Sequence, residues 1–226
     1  MRGGPAAPST RVFMPWRDRR VLVVIGHPDD ETLGCGGTLA KLAEQGADIT
    51  VLLPCRRTDP RGVEHWDDLV AALHAACARL GATAVLPEPQ LEEPEPSVAD
   101  VYDVVLPHVE ASDVIFTHWH GDVHQAHRAL SHAVEIATRP FRRHRDVYLF
   151  ETPTSTEQAY VQTFSPNTYV VLEPAHCDAA VEAMGHYPIE HDIGRRPEDL
   201  RRRIETRGAE VGRTHAEAFV AVRQFR

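Results

Sequence analysis

Two short stretches bring together residue types that can do chemistry. The first is His27-Pro28-Asp29-Asp30-Glu31, one imidazole and three carboxylates placed directly after an apolar run. The second, residues 117–127, holds His118, His120, His124 and His127 around Asp122. Clustered carboxylates are costly unless something pairs them, and a divalent cation suits them better than a phosphate, which they would repel. His27 and Asp30, three apart on a tight turn, can grip one metal from the same side. Asp29 would then point elsewhere, free to act as a base. Asp29 or Asp30 could equally be a helix cap, so the second cluster is what favours a site. A catalytic zinc takes three protein ligands and keeps one position open for water. His27, Asp30 and one of His124 or His127 complete that set. Asp29 would take the proton of the water, and the remaining histidine would stabilise an oxyanion or protonate a leaving nitrogen. That combination hydrolyses an amide.

Both clusters sit where strands end. Residues 21–25 are apolar and mostly β-branched, which reads as a strand buried on both faces. The apolar spacing over 33–45 predicts a helix after it. Further strands are expected at 48–54, 84–87, 113–118, 146–151 and 168–173. Helices are expected at 64–80, 98–111, 123–139, 175–187 and 197–212, with a short final element in 216–226. Residues 55–63 and 88–96 read as loops. On this reading His124 and His127 lie one above the other on the first turn of a helix. Strands alternating with helices imply right-handed crossovers and a Rossmann-like three-layer α/β fold, with a mainly parallel sheet and helices on both faces. Ligands bind such sheets at the carboxyl ends of the strands, which is where both clusters fall.

The chain has 226 residues and a formal charge of -9, which argues against nucleic acid or an anionic membrane as the main partner. Basic runs at 56–57, 142–145 and 195–203 read as solvated faces. The four cysteines show no C-x-x-C spacing and are expected to be reduced. Residues 1–18 read as a poorly ordered extension with no signal-peptide core. Residues 19–226 read as one domain, and the expected location is cytoplasmic.

With these motifs in view, the sequence resembles the LmbE/PIG-L family of metal-dependent N-deacetylases. The carriers are His-Pro-Asp-Asp-Glu at 27–31 after a strand, and Gly-Asp-x-His-x-x-His at 121–127. Weaker likenesses at 164–169, 179–187, 207–212 and 216–219 extend it nearly end to end. The resemblance implies that His27, Asp30 and His127 bind zinc (Fe2+, Co2+ or Mn2+ being alternatives), that Asp29 is the general base, and that His124 supports the oxyanion. It implies a small-molecule N-acylated substrate, sugar-like or a sugar conjugate, and leaves a homo-oligomer open.

The chain departs from the family pattern in two places. Ala126 stands where many members carry an Asp before the third ligand. The family's Gly-Glu step is replaced by Pro-Cys-Arg-Arg-Thr-Asp at 54–59, and the next helix, where the family carries its substrate-holding Arg, reads Leu-Val-Ala-Ala-Leu at 69–73. Arg56, Arg57 or Arg61 would take over the substrate contact, together with Asp122. Besides an amidase acting on a non-sugar amide, two other readings compete: a binding protein that kept the metal but lost turnover, and a nucleotide-binding Rossmann protein. The second is disfavoured because no G-x-G-x-x-G opens the helix.

Overall fold

Val21 and Val23 pack into one apolar core and Leu22 and Val24 into another, all at most 1% exposed. The first strand is therefore buried on both faces, as a central parallel strand should be. The computed structural model describes residues 16–92, 97–141, 143–160, 163–192 and 194–225, with the Arg61 side chain left undescribed. Its strands are β1 (Arg20–Val24), β2 (Asp48–Leu52), β3 (Cys55–Arg56), β4 (Thr83–Val85), β5 (Leu91–Glu92), β6 (Val114–His118), β7 (Asp146–Phe150), β8 (Thr168–Val171) and β9 (Ala216–Arg223). Its helices are α1 (Asp30–Glu44), α2 (Pro60–Leu80), α3 (Val98–Ala111), α4 (Gln125–Ala137), α5 (Pro174–Met184) and α6 (Pro197–Glu210).

The main sheet runs β4-β2-β1-β6-β7-β9-β8, parallel from β4 to β7. Helices α1, α2, α5 and α6 fill the core on one face, and α3 and α4 the core on the other. The expected three-layer fold is present. Three local expectations need correcting. The closing segment is an eight-residue strand, β9, wedged antiparallel between β7 and β8. The stretches read as loops contain β3 and β5, which pair with each other. Trp16, inside the stretch expected to be loose, is buried edge-on against Phe116 and Tyr148. The remainder of that stretch, residues 1–15, lies outside the described residues. Among the described residues no helix is long and apolar enough to cross a membrane. All four cysteines are free and buried.

Helix α1 is broken at Cys35, whose φ of -153° leaves the helical region. Backbone donors freed by the break at Gly37 and Thr38 bond to Glu217 of β9, at 2.8 and 2.7 Å. That carboxylate caps a helix from its interior and ties α1, which begins in the first cluster, to β9.

Candidate active site

The turn from β1 to α1 and the turn from β6 to α4 meet at the carboxyl edge of the sheet. Gly26 lets them approach, since a Cβ there would stand 2.9 Å from the His127 ring. His27 Nδ1 lies 3.1 Å from His127 Nε2 and 3.3 Å from Asp30 Oδ2, and His127 Nε2 lies 3.4 Å from the same oxygen. A tetrahedral zinc with ligands at 2.0–2.2 Å separates its donors by about 3.3–3.5 Å. The three atoms thus already form one face of such a tetrahedron. Asp30 Oδ1 is buried without a hydrogen-bond partner. This donor set suits a divalent cation.

His127 is aligned from behind. Its Nδ1 lies 3.1 Å from Asp122 Oδ1, although not aimed squarely at it. With the proton on Nδ1, Nε2 presents its lone pair to the centre, the usual arrangement for a metal-ligating histidine. Asp122 is itself gripped by Ser155 at 2.5 Å and Thr156 at 2.6 Å, and it accepts from the His124 backbone N–H at 2.8 Å. Asp122 was expected at the substrate. It is 1% exposed with both oxygens engaged, so it supports the two histidines and does not face the cleft.

His118 was not assigned a role from sequence, yet it stands inside the cluster. Its Nε2 is 3.4 Å from Asp30 Oδ2, and its ring stacks on that of His127 at 3.7 Å. That nitrogen accepts from the Gly26 N–H at 3.0 Å, while Nδ1 reaches Thr152 Oγ1 at 3.1 Å. With its lone pair engaged, His118 buttresses the turn. His124 is the N-cap of α4, not a residue of its first turn, and is exposed at the cleft with its ring 4.5 Å from that of His27.

Asp29 and Asp30 have opposite environments. Both are fully buried. Burial pushes Asp29 well above the ordinary aspartate range, against the pull of Arg195. Burial acts the same way on Asp30, but His127 and His118 outweigh it and hold Asp30 well below that range. Glu31, turned inward, is pushed up to about 7 by burial even though it accepts from Thr32 and from Tyr187. Asp29 sits at φ 114°, a left-handed conformation rare for a residue with a side chain.

An open cleft of two lobes, about 340 and 690 Å³, lies over the cluster, with His27, Arg57 and His124 lining both. Of the three arginines expected at the substrate, Arg57 is there, paired with Glu190 and Asp59 at 2.8 Å each. Arg56 instead lies exposed over the Trp66 ring. Arg61's side chain falls outside the description. The run 195–203 is not merely a solvated face. Arg195 turns inward to Asp29 at 3.0 Å, and Arg203 bonds Glu151 at 2.8 Å.

Residues 22–138 match the model of the family described as PIG-L: GlcNAc-PI de-N-acetylase, a stretch that spans both clusters and just over half of the chain. The chain belongs to the PIG-L family. A 1D-myo-inositol 2-acetamido-2-deoxy-alpha-D-glucopyranoside deacetylase of Rhodococcus opacus is 33% identical over 160 residues, covering 53% of this chain and 54% of the relative. The chain spans about half, or less, of the length of such relatives. Among solved structures, a deacetylase of teicoplanin biosynthesis superposes with a TM-score of 0.71 at 16% identity, covering 91% of this chain and 98% of its own. The 4-carboxy-2-hydroxymuconate hydratase of Pseudomonas putida superposes at 0.69 with 19% identity, covering 92% and 98%. At such identities the likeness is one of fold, and one PIG-L-type fold carries more than one chemistry.

Proposed function

We propose that this PIG-L family protein is a metal-dependent hydrolase that removes an N-acyl group, acetyl in the first instance, from a sugar-like small molecule. The observation that carries the reading is the triangle of His27 Nδ1, His127 Nε2 and Asp30 Oδ2 beside the buried Asp29. His27, Asp30 and His127 would hold the ion, zinc in this reading, with Fe2+, Co2+ or Mn2+ as substitutes of similar ligand taste. Bound there, a divalent ion supplies Lewis acidity that polarises an acyl oxygen and acidifies water.

The chain's own residues do the rest. Asp29 Oδ1, buried and without a partner, is the atom that accepts the proton as water attacks the acyl carbon. His124, which lines the cleft, opposes the negative charge that develops on the acyl oxygen and returns a proton to the leaving nitrogen. Asp122 keeps His127 in one tautomer and orientation. Arg57 lines both lobes and is the contact we assign to the substrate, with Asp59 and Glu190 fixing its guanidinium.

The test is acetate release from N-acetylglucosamine and its glycosides by protein loaded with one equivalent of zinc or cobalt, and by protein stripped with a chelator. Turnover should appear only with metal. Equal release with and without metal, or none from any N-acetyl sugar, would remove the reading.

A further inference from the structure

Among the described residues only Asp18, Asp29 and Thr154 combine a side chain with positive φ, and one guanidinium bridges the last two. Arg195 Nη1 donates to Asp29 Oδ2 at 3.0 Å, and its Nε donates to Thr154 Oγ1 at 2.8 Å. Asp29 has φ 114° and Thr154 φ 67°, conformations that cost free energy and persist only where the surroundings impose them. Gly194, just before Arg195, has φ 94°, and a Cβ there would stand 2.7 Å from Thr154 Cγ2. The Gly194 N–H is tied to Asp199 at 3.0 Å and the Arg195 N–H to the Asp192 carbonyl at 2.9 Å. Three unusual backbone positions, 125 residues or more from Asp29 in two of the cases, thus converge on a single planar fork. Such a fork fixes direction as well as distance, which a lysine ammonium does not.

We infer that Arg195 is the positioning residue for Asp29. It holds Oδ2 and so dictates the direction of the partnerless Oδ1, the atom used as base. Thr154 is the second anchor, fixing the guanidinium from its far side. This inference rests on the function proposed above, and it adds a residue outside both sequence motifs.

The test compares R195A, R195K, T154V and T154S with wild type as zinc-loaded proteins, using acetate release from N-acetylglucosamine and its glycosides. R195A should lower kcat about 100-fold with KM and zinc content unchanged, the scale of a catalytic group displaced by about an ångström. R195K should recover part of that loss, and guanidinium ion added to R195A should restore activity where urea does not. T154V should lower kcat several-fold while T154S stays at the wild-type value. A raised KM with normal kcat would make Arg195 a substrate contact and overturn the inference. A lowered Tm with normal kcat and KM would make the pair merely structural, with the same consequence. If wild type releases no acetate from any of these sugars, the functional reading falls, and the clamp is then judged on Tm values of metal-free R195A, D29N and the double variant. Non-additive shifts would uphold the pairing, and additive ones would overturn it.

Discussion

At the scale of single residues, what separates Asp29 from Asp30 is the company each keeps. Adjacent in sequence and equally buried, one faces a guanidinium and the other three imidazoles. Asp122 behaves as an orienting group, which gives a sharp expectation. D122N should weaken zinc binding by about 10–100-fold in a chelator competition while leaving KM for an N-acetyl sugar near wild type. A raised KM with normal zinc affinity would return Asp122 to the substrate. Arg57 is expected to do the opposite. R57A should raise KM more than it lowers kcat, the mark of binding shared by ground and transition states. Steady-state kinetics over a substrate range wide enough to resolve both constants checks it, and an unchanged KM would move substrate recognition elsewhere. The two clusters were legible because each is compact in sequence, at residues 27–31 and 117–127. Arg195 was not, because its partner lies 166 residues away and nothing in an arginine-rich run marks the side chain that turns inward.

At the scale of elements, helix periodicity was readable wherever one apolar stripe faces the sheet. Val101, Val105 and Val109 of α3 are fully buried, at the spacing that predicted them. Val104 lies at the edge of that stripe and is partly exposed. The place of β9 was not readable, because alternation predicts a strand but not its neighbours. What secures β9 to α1 is Glu217, which burial pushes up to about 7. Its proton uptake sets the sign of a pH effect. As pH rises from about 4.5 to 7 the unfolded chain loses this proton while the folded chain keeps it, so the folded state binds more protons and stability falls across that window. Glutamine does not titrate. The stability advantage of wild type over E217Q should therefore shrink by up to about 3 kcal/mol between pH 4.5 and 7. Urea unfolding of both proteins at half-unit pH steps measures it. A difference that stays constant or grows with pH would contradict the assignment.

At the scale of the whole molecule, the site joins the ends of β1 and β6 and the starts of α1 and α4, which span the centre of the sheet and both helical layers. A ligand bound only by the folded chain stabilises all of these at once. Zinc at a hundredfold excess over its Kd should add about 2.7 kcal/mol, or about 5–10 °C in Tm for a chain of this size. H27A should show no such shift in a thermal melt, and a full shift in H27A would place the ion elsewhere. The fold class was open to reading from strand and helix order alone, because each crossover must return on the same hand. The central claim is that Asp30 holds the ion while Asp29 works beside it. The most direct measurement is zinc content and kcat determined together on D29N and D30N, each equilibrated with zinc and freed of excess. D30N should be metal-poor. D29N should keep a near-normal zinc content and lose about 10²–10⁴-fold in kcat. A metal-free D29N beside a metal-loaded D30N, or a fully active D29N, would contradict it.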